Sequence, residues 1–279
     1  MLLDREEYIE QAYFFRVLGE RIKQDMQTQD LLVSVREEIL STTKLPMAID
    51  FMRSELLLGG VFAPAMAKLS HYFTGFQTFV VAEAERERGR FDFGIALEIL
   101  EREARYRAEG ATRQGAFVYQ FECLCRNRLG YDKGLDAMSR DPIYTAEWAE
   151  WMQTVRRQVG LVDIADMIYV RSEHYLQIRQ RQGLDLDGPE KPVLFGEKEG
   201  KIALANRRRD PLLLFSALER HLNYPQVPRP KPADDARLLL PMLVRRMERV
   251  ESRLKLLEEE EKGGIDLTRF YGRPPEAGP

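Results

Sequence analysis

Histidine is scarce in this chain: His71, His174 and His221 are the only three among 279 residues. They lie far apart, and none has a carboxylate three positions before it, the spacing by which helical bundles build di-metal sites. Cysteine is scarcer still, with Cys123 and Cys125 alone. Their C-x-C spacing matches no zinc motif. On a helix the two thiols would sit about 200° apart around the axis, so they cannot face one another as a disulfide. Buried core thiols are expected, and the neighbouring Arg126 and Arg128 make a reactive thiol the alternative. No metal and no cofactor is expected.

Long apolar runs are also missing. The least charged stretch, Leu56 to Ala82, is broken by Lys68 and His71 and holds no uncharged run near the ~18 residues of a spanning helix. A buried helix pair and no membrane span are expected there. The opening MLLDREEYIE has no basic start followed by an apolar stretch, so no secretory signal is read and the expected location is cytoplasmic. The net charge of −3 is small for this length, and nothing at whole-chain level points to nucleic acid or an anionic membrane.

Several catalytic signatures are absent too. There is no G-x-S-x-G elbow and no dinucleotide fingerprint. Adjacent Ser70 and His71 would point apart on a helix and cannot work as nucleophile and base. The run Gly196 to Lys201 is one residue too short between its glycines for a phosphate loop, is acidic, and lacks the Ser or Thr after the lysine.

What is present is helical periodicity. Arg and Glu at helical spacing dominate the 31% of charged residues, and the 44% of hydrophobic ones support a real core. Asp4 with Glu7 reads as a capping box ahead of Tyr8, Ala12, Phe15, Gly19 and Ile22. Helices opening near Thr28 and Thr43 follow, then one long helix after Pro64 that carries Met66, Leu69, Phe73, Phe76 and Val80 inward. The next, Phe91 to Ala108, pairs Glu98 with Arg102 and Glu101 with Arg105 on its outer face. Residues 112–129 read as a central helix, apolar on nearly every side yet holding Gln120, Glu122, Arg126 and Asn127. Such a helix needs neighbours all round, and its polar groups need internal partners. Trp148 and Trp151 share the face of a further helix, and residues 162–182 read as one more.

The texture changes at Gly183. Val193 to Leu204 reads as a β-hairpin around a charged turn. Arg207, Arg208 and Arg209 follow, then Asp210-Pro211 as a helix start and a strap held by Pro225, Pro228, Pro230 and Pro232. Leu240, Leu243, Met247, Val250, Leu254 and Leu257 alternate at three and four, an a/d seam under three heptads long.

The expected architecture is therefore mainly α. It comprises an all-α core over 1–184, which an irregular helical repeat could underlie, a hairpin-helix-proline appendage over 185–232, a C-terminal amphipathic heptad helix over 233–262 and a loose tail over 263–279. The turn signature of tetratricopeptide repeats is not met: Gly89 and Gly130 stand about 41 residues apart instead of about 34.

Three sets of residues could carry function. Leu243, Met247, Val250, Leu254 and Leu257 would bind a partner helix, in the same chain or in a second copy. Glu122, Arg126, Asp166, Arg171 and His174 would line a polar ligand pocket if the two helices that carry them pack together. Arg207, Arg208 and Arg209 would contact phosphate or nucleic acid, though they lack the interleaved aromatics of single-strand binders. The expected function is a non-enzymatic scaffold or adaptor that binds other proteins or itself. The alternatives are a ligand-binding protein or enzyme using the polar pocket, and association with nucleic acid through the arginines.

Overall fold

A computed structural model of the chain describes residues 2–22, 28–86, 91–183 and 191–229, and beyond them Met247 alone. These residues form thirteen helices and no sheet. The β pairing among them amounts to two single-residue bridges, Val159 with Val162 and Ser172 with Phe195. The mainly α class thus matches the periodicity. Met1–Arg229 forms one compact unit and Pro230–Pro279 a second.

The first helices, α1 (Arg5–Ile22), α2 (Thr28–Glu38) and α3 (Leu45–Gly59), pack on one another through Phe14, Phe15, Leu18, Leu31, Leu32, Val35, Ile49 and Met52. Glu7 does not close a capping box with Asp4. Its carboxylate accepts from the Lys44 backbone N–H at 2.8 Å and from the Tyr72 hydroxyl at 2.7 Å. Glu10 likewise accepts from the Leu40 N–H at 3.1 Å. Two acids on α1 therefore satisfy the backbone of the α2–α3 loop, where unpaired donors would be costly.

The long helix expected after Pro64 is broken into α4 (Ala63–Lys68) and α5 (Gly75–Ala84). Thr74 and Gln77 explain the break, because they form a complete capping box that starts α5 afresh. α6 (Phe93–Ala108) lies along α1 as its main partner.

The central helix is α7 (Arg113–Arg126), capped by the Thr112 side chain on the Gly115 N–H. Every residue from Gly115 to Leu124 is buried, so it is enclosed as its all-round apolar surface requires. It contacts α6, α8 (Tyr131–Ser139) and α13 (Pro211–Leu222). Trp148 and Trp151, on α9 (Ala146–Gln158), are core residues. Both rings pack tilted or edge-on against Phe117 and Phe195, Trp151 at 4.7 Å from Phe117 and Trp148 at 5.1 Å from Phe195.

Two elements after residue 160 differ from the sequence expectation. The single helix over 162–182 is two, α10 (Ile164–Val170) and α11 (Glu173–Arg181), separated where the Ser172 hydroxyl caps the Tyr175 N–H. The hairpin over 193–204 is not formed. Only Phe195 makes a bridge, with Ser172, and the rest is α12 (Glu197–Ala205). Glu197 and Glu199 in its first turn suit a helix N-terminus, and Glu197 pairs with Lys201 at i,i+4. Gly200, read as a turn residue, is a packing residue: a Cβ there would lie 2.2 Å from the Ser172 Oγ and 2.8 Å from the His174 Cβ.

After α13 the residues from Tyr224 to Arg229 have no regular secondary structure. Tyr224 and Val227 are buried, and Asn127 donates to the Pro228 carbonyl at 3.2 Å. The proline strap thus lies along α7 for its described part. Of the heptad seam only Met247 is described, helical and 63% exposed. Leu240, Leu243, Val250, Leu254 and Leu257, with Pro230, Pro232 and the tail, lie outside the described residues.

Candidate functional site

Two polar networks are sealed inside the helical core. In the first, the Arg107 guanidinium on α6 pairs with Glu103 at 2.9 Å and with both oxygens of Asp141. Gln120 of α7 donates to Glu103 at 2.7 Å and accepts from the Tyr144 hydroxyl at 2.8 Å. Burial opposes the charge of Arg107, but Asp141 and Glu103 outweigh it and hold the guanidinium firmly protonated. Sequence reading missed Glu103, Arg107 and Asp141 as a set, since Asp141 lies 34 positions from Arg107 in an apparent turn. The signal available was that Glu103 and Arg107 fall on the same stripe of α6 as Leu100.

In the second network Glu122 pairs with Arg126 one turn on, and its other oxygen accepts from the Tyr224 hydroxyl at 2.7 Å. Burial, and then the negative charge of Glu122, push the Tyr224 phenol far above its ordinary value. Of the five residues expected to share a pocket, Glu122 and Arg126 are brought together. Asp166 pairs instead with Arg207, Arg171 donates to the Pro192 carbonyl at 3.2 Å, and the His174 ring packs edge-on to Tyr169. Each Glu122 oxygen already accepts a hydrogen bond, so this carboxylate is held as a structural partner.

The arginine triplet is differently placed. Arg207 is satisfied by Asp166 and lies over the Tyr169 ring at 5.5 Å. Asp163 caps α10 through the Ala165 N–H at 3.0 Å, and its second oxygen accepts from the Arg208 backbone N–H at 2.7 Å. That bond holds Arg208 at φ 59, a left-handed conformation costly for a residue with a side chain. Two acids of the α10 region therefore fix the turn after α12, while the side chains of Arg208 and Arg209 are exposed and make no ion pair among the described residues.

Arg208 and Arg209 border a cleft of about 480 Å³. It is lined by Phe121 and Cys125 of α7 and Phe215 of α13, with Tyr131, Ile164, Met167 and the loop Val159–Val162. Leu161 on the rim is 85% exposed. Its one carboxylate, Asp163, is spent on two backbone donors. Burial pushes the Cys125 thiol up to about 11, the Tyr131 hydrogen bond opposing it. At neutral pH the thiol is protonated, which removes the nucleophilic thiolate. What the cleft offers is apolar surface beside two exposed cations that make no ion pair among the described residues.

Among the described residues no His, Cys, Asp or Glu cluster could hold a metal ion, and no helix is long and apolar enough to cross a membrane. No protein-family model, curated protein or solved structure matches the chain.

Proposed function

We propose that this protein is a non-enzymatic binding protein, a cytoplasmic scaffold or adaptor, and that the cleft between α7, α10 and α13 is a surface on which it meets a protein partner. The observation that carries this reading is the apolar cleft with Leu161 standing open on its rim. A large aliphatic side chain left in water beside further apolar surface is a mark of interaction sites. Covering it is worth roughly 1.5–3 kcal/mol for the leucine alone. Small ligands are usually 70–90% enclosed by their sites. A rim residue this exposed suits a macromolecular surface better. The polar groups of the core support the same reading, because their carboxylates are committed to internal partners.

A photo-crosslinking residue placed at Leu161 in the native cell, with the same residue at exposed Glu37 as control, tests this. A protein adduct specific to position 161, and lost when Val162→Asp is added, is expected. Adducts equal at both positions, or none at 161, would overturn the reading. Self-association through Leu243, Met247, Val250, Leu254 and Leu257 is part of the same proposal. It predicts that Leu243→Asp with Leu254→Asp lowers the mass found by light scattering, and a monomer before and after would remove it.

A further inference from the structure

The geometry points to an acidic amphipathic segment of a partner protein as the occupant of the cleft, its apolar side chains on the exposed Tyr131, Leu161 and Val162 and its carboxylates on Arg208 and Arg209. This rests on the reading of the cleft as a docking surface and adds the chemistry of what docks.

Charge complementarity carries it. Arg207, Arg208 and Arg209 are consecutive, yet among the described residues only Arg207 has a carboxylate, from Asp166. Asp163 stands at the cleft but gives its oxygens to the Ala165 and Arg208 N–H groups. The next acid, Asp210, caps the Leu212 N–H at 2.9 Å. Asp163 and Asp210 thus accept from backbone donors, and among the described residues two guanidiniums remain without an ion pair beside apolar surface. Arg208 is moreover kept in a left-handed conformation that glycine would adopt more cheaply. A basic segment would meet like charge there, and a neutral one would leave the guanidiniums without partners. A nucleic-acid strand would set its phosphates on arginines but its charged backbone against Tyr131, Leu161 and Val162.

The recognition resembles an amphipathic helix laid into a groove, with flanking charges setting which helix is accepted. Three short synthetic helices with the same leucine face test it, their remaining positions filled with glutamate, glutamine or lysine. Binding to the full-length protein is read by fluorescence anisotropy. The glutamate helix is expected to bind at least about tenfold tighter than the lysine helix. The preference should shrink as ionic strength rises past about 0.15 M. Arg208→Gln with Arg209→Gln should abolish it, and Arg208→Glu with Arg209→Glu should reverse it. Both residues are exposed, and circular dichroism checks that the variants stay folded.

Equal binding of glutamate and glutamine helices, still lost with Leu161→Asp, would overturn the charge pairing and leave the docking surface standing. Failure of all three helices would overturn both. A single-stranded oligonucleotide held by the same arginines, with no helix bound, would replace the proposal by nucleic acid.

Discussion

The Tyr224 hydroxyl lies 2.7 Å from the Glu122 carboxylate and 2.9 Å from the Phe215 carbonyl. One side chain from the strap after α13 thereby joins the middle of α7 to the middle of α13, and it does so where all three are buried. Glu122 is the hub, since Arg126 supplies an opposite charge and Tyr224 the second hydrogen bond.

Tyr224→Phe keeps the ring and removes the donor, leaving a buried carboxylate oxygen short of a partner. Such losses cost about 1–3 kcal/mol. A fall of that size in stability, measured by urea denaturation with an unchanged slope, is expected. A change within about 0.5 kcal/mol would show that Arg126 alone satisfies Glu122.

Arg107 has more at stake. Removing its guanidinium by Arg107→Met leaves Glu103 and Asp141 facing each other inside the core, and breaking a buried pair in this way costs about 3–5 kcal/mol. Arg107→Lys keeps the charge but cannot span both carboxylates as a fork does, so it should fall between wild type and Arg107→Met. The order of the three midpoints in guanidinium chloride checks this. Equal midpoints for Arg107→Lys and wild type would show that charge, and not the fork, is what the network needs.

The buried acids of side-chain ionisation act together at high pH. Burial raises the thiols of Cys123 and Cys125 and the phenols of Tyr72, Tyr119, Tyr144 and Tyr224. In the unfolded chain thiols release protons near about 8.5 and phenols near about 10. The folded state therefore holds more protons in that range, and stability must fall as pH rises. It should be level from neutrality to about pH 8.5 and then drop by up to about 1.4 kcal/mol per pH unit for each group in play. Urea midpoints measured at pH 8 and pH 10 test the sign. An unchanged midpoint would mean that these groups ionise freely in the folded protein.

The periodic residues made the helices legible, and so the class and the enclosure of α7 could be read from Gly115 to Leu124. Trp148 and Trp151 followed from their spacing of three. Long-range partners were not legible, because nothing local couples Asp141 to Arg107 or Tyr224 to Glu122. The arginine turn was found by composition, but which of the three is free depends on Asp166 and Asp163, more than forty residues earlier. The helix breaks after Lys68 and at Ser172 were missed because Thr74 and Ser172 act as caps inside apolar patterns that run on without pause.

The missed helix α12 yields the sharpest test of that lesson. Gly200 was read as a turn glycine because glycine and charge cluster around it. In an open helix alanine would stabilise by about 1 kcal/mol. Here a methyl group would lie 2.2 Å from the Ser172 Oγ, 2.6 Å from the Ser172 Cβ and 2.8 Å from the His174 Cβ. The Cβ atoms move only with the backbone of Ser172 and α11, so overpacking of about 1–3 kcal/mol opposes the propensity gain. Gly200→Ala should therefore destabilise, and adding Ser172→Gly should recover part of the loss by opening the closest contact, although it also removes the hydroxyl that caps α11. Thermal melts of the single and double variants decide it. A Gly200→Ala protein as stable as wild type would mean that α12 does not seat this closely on Ser172 and His174.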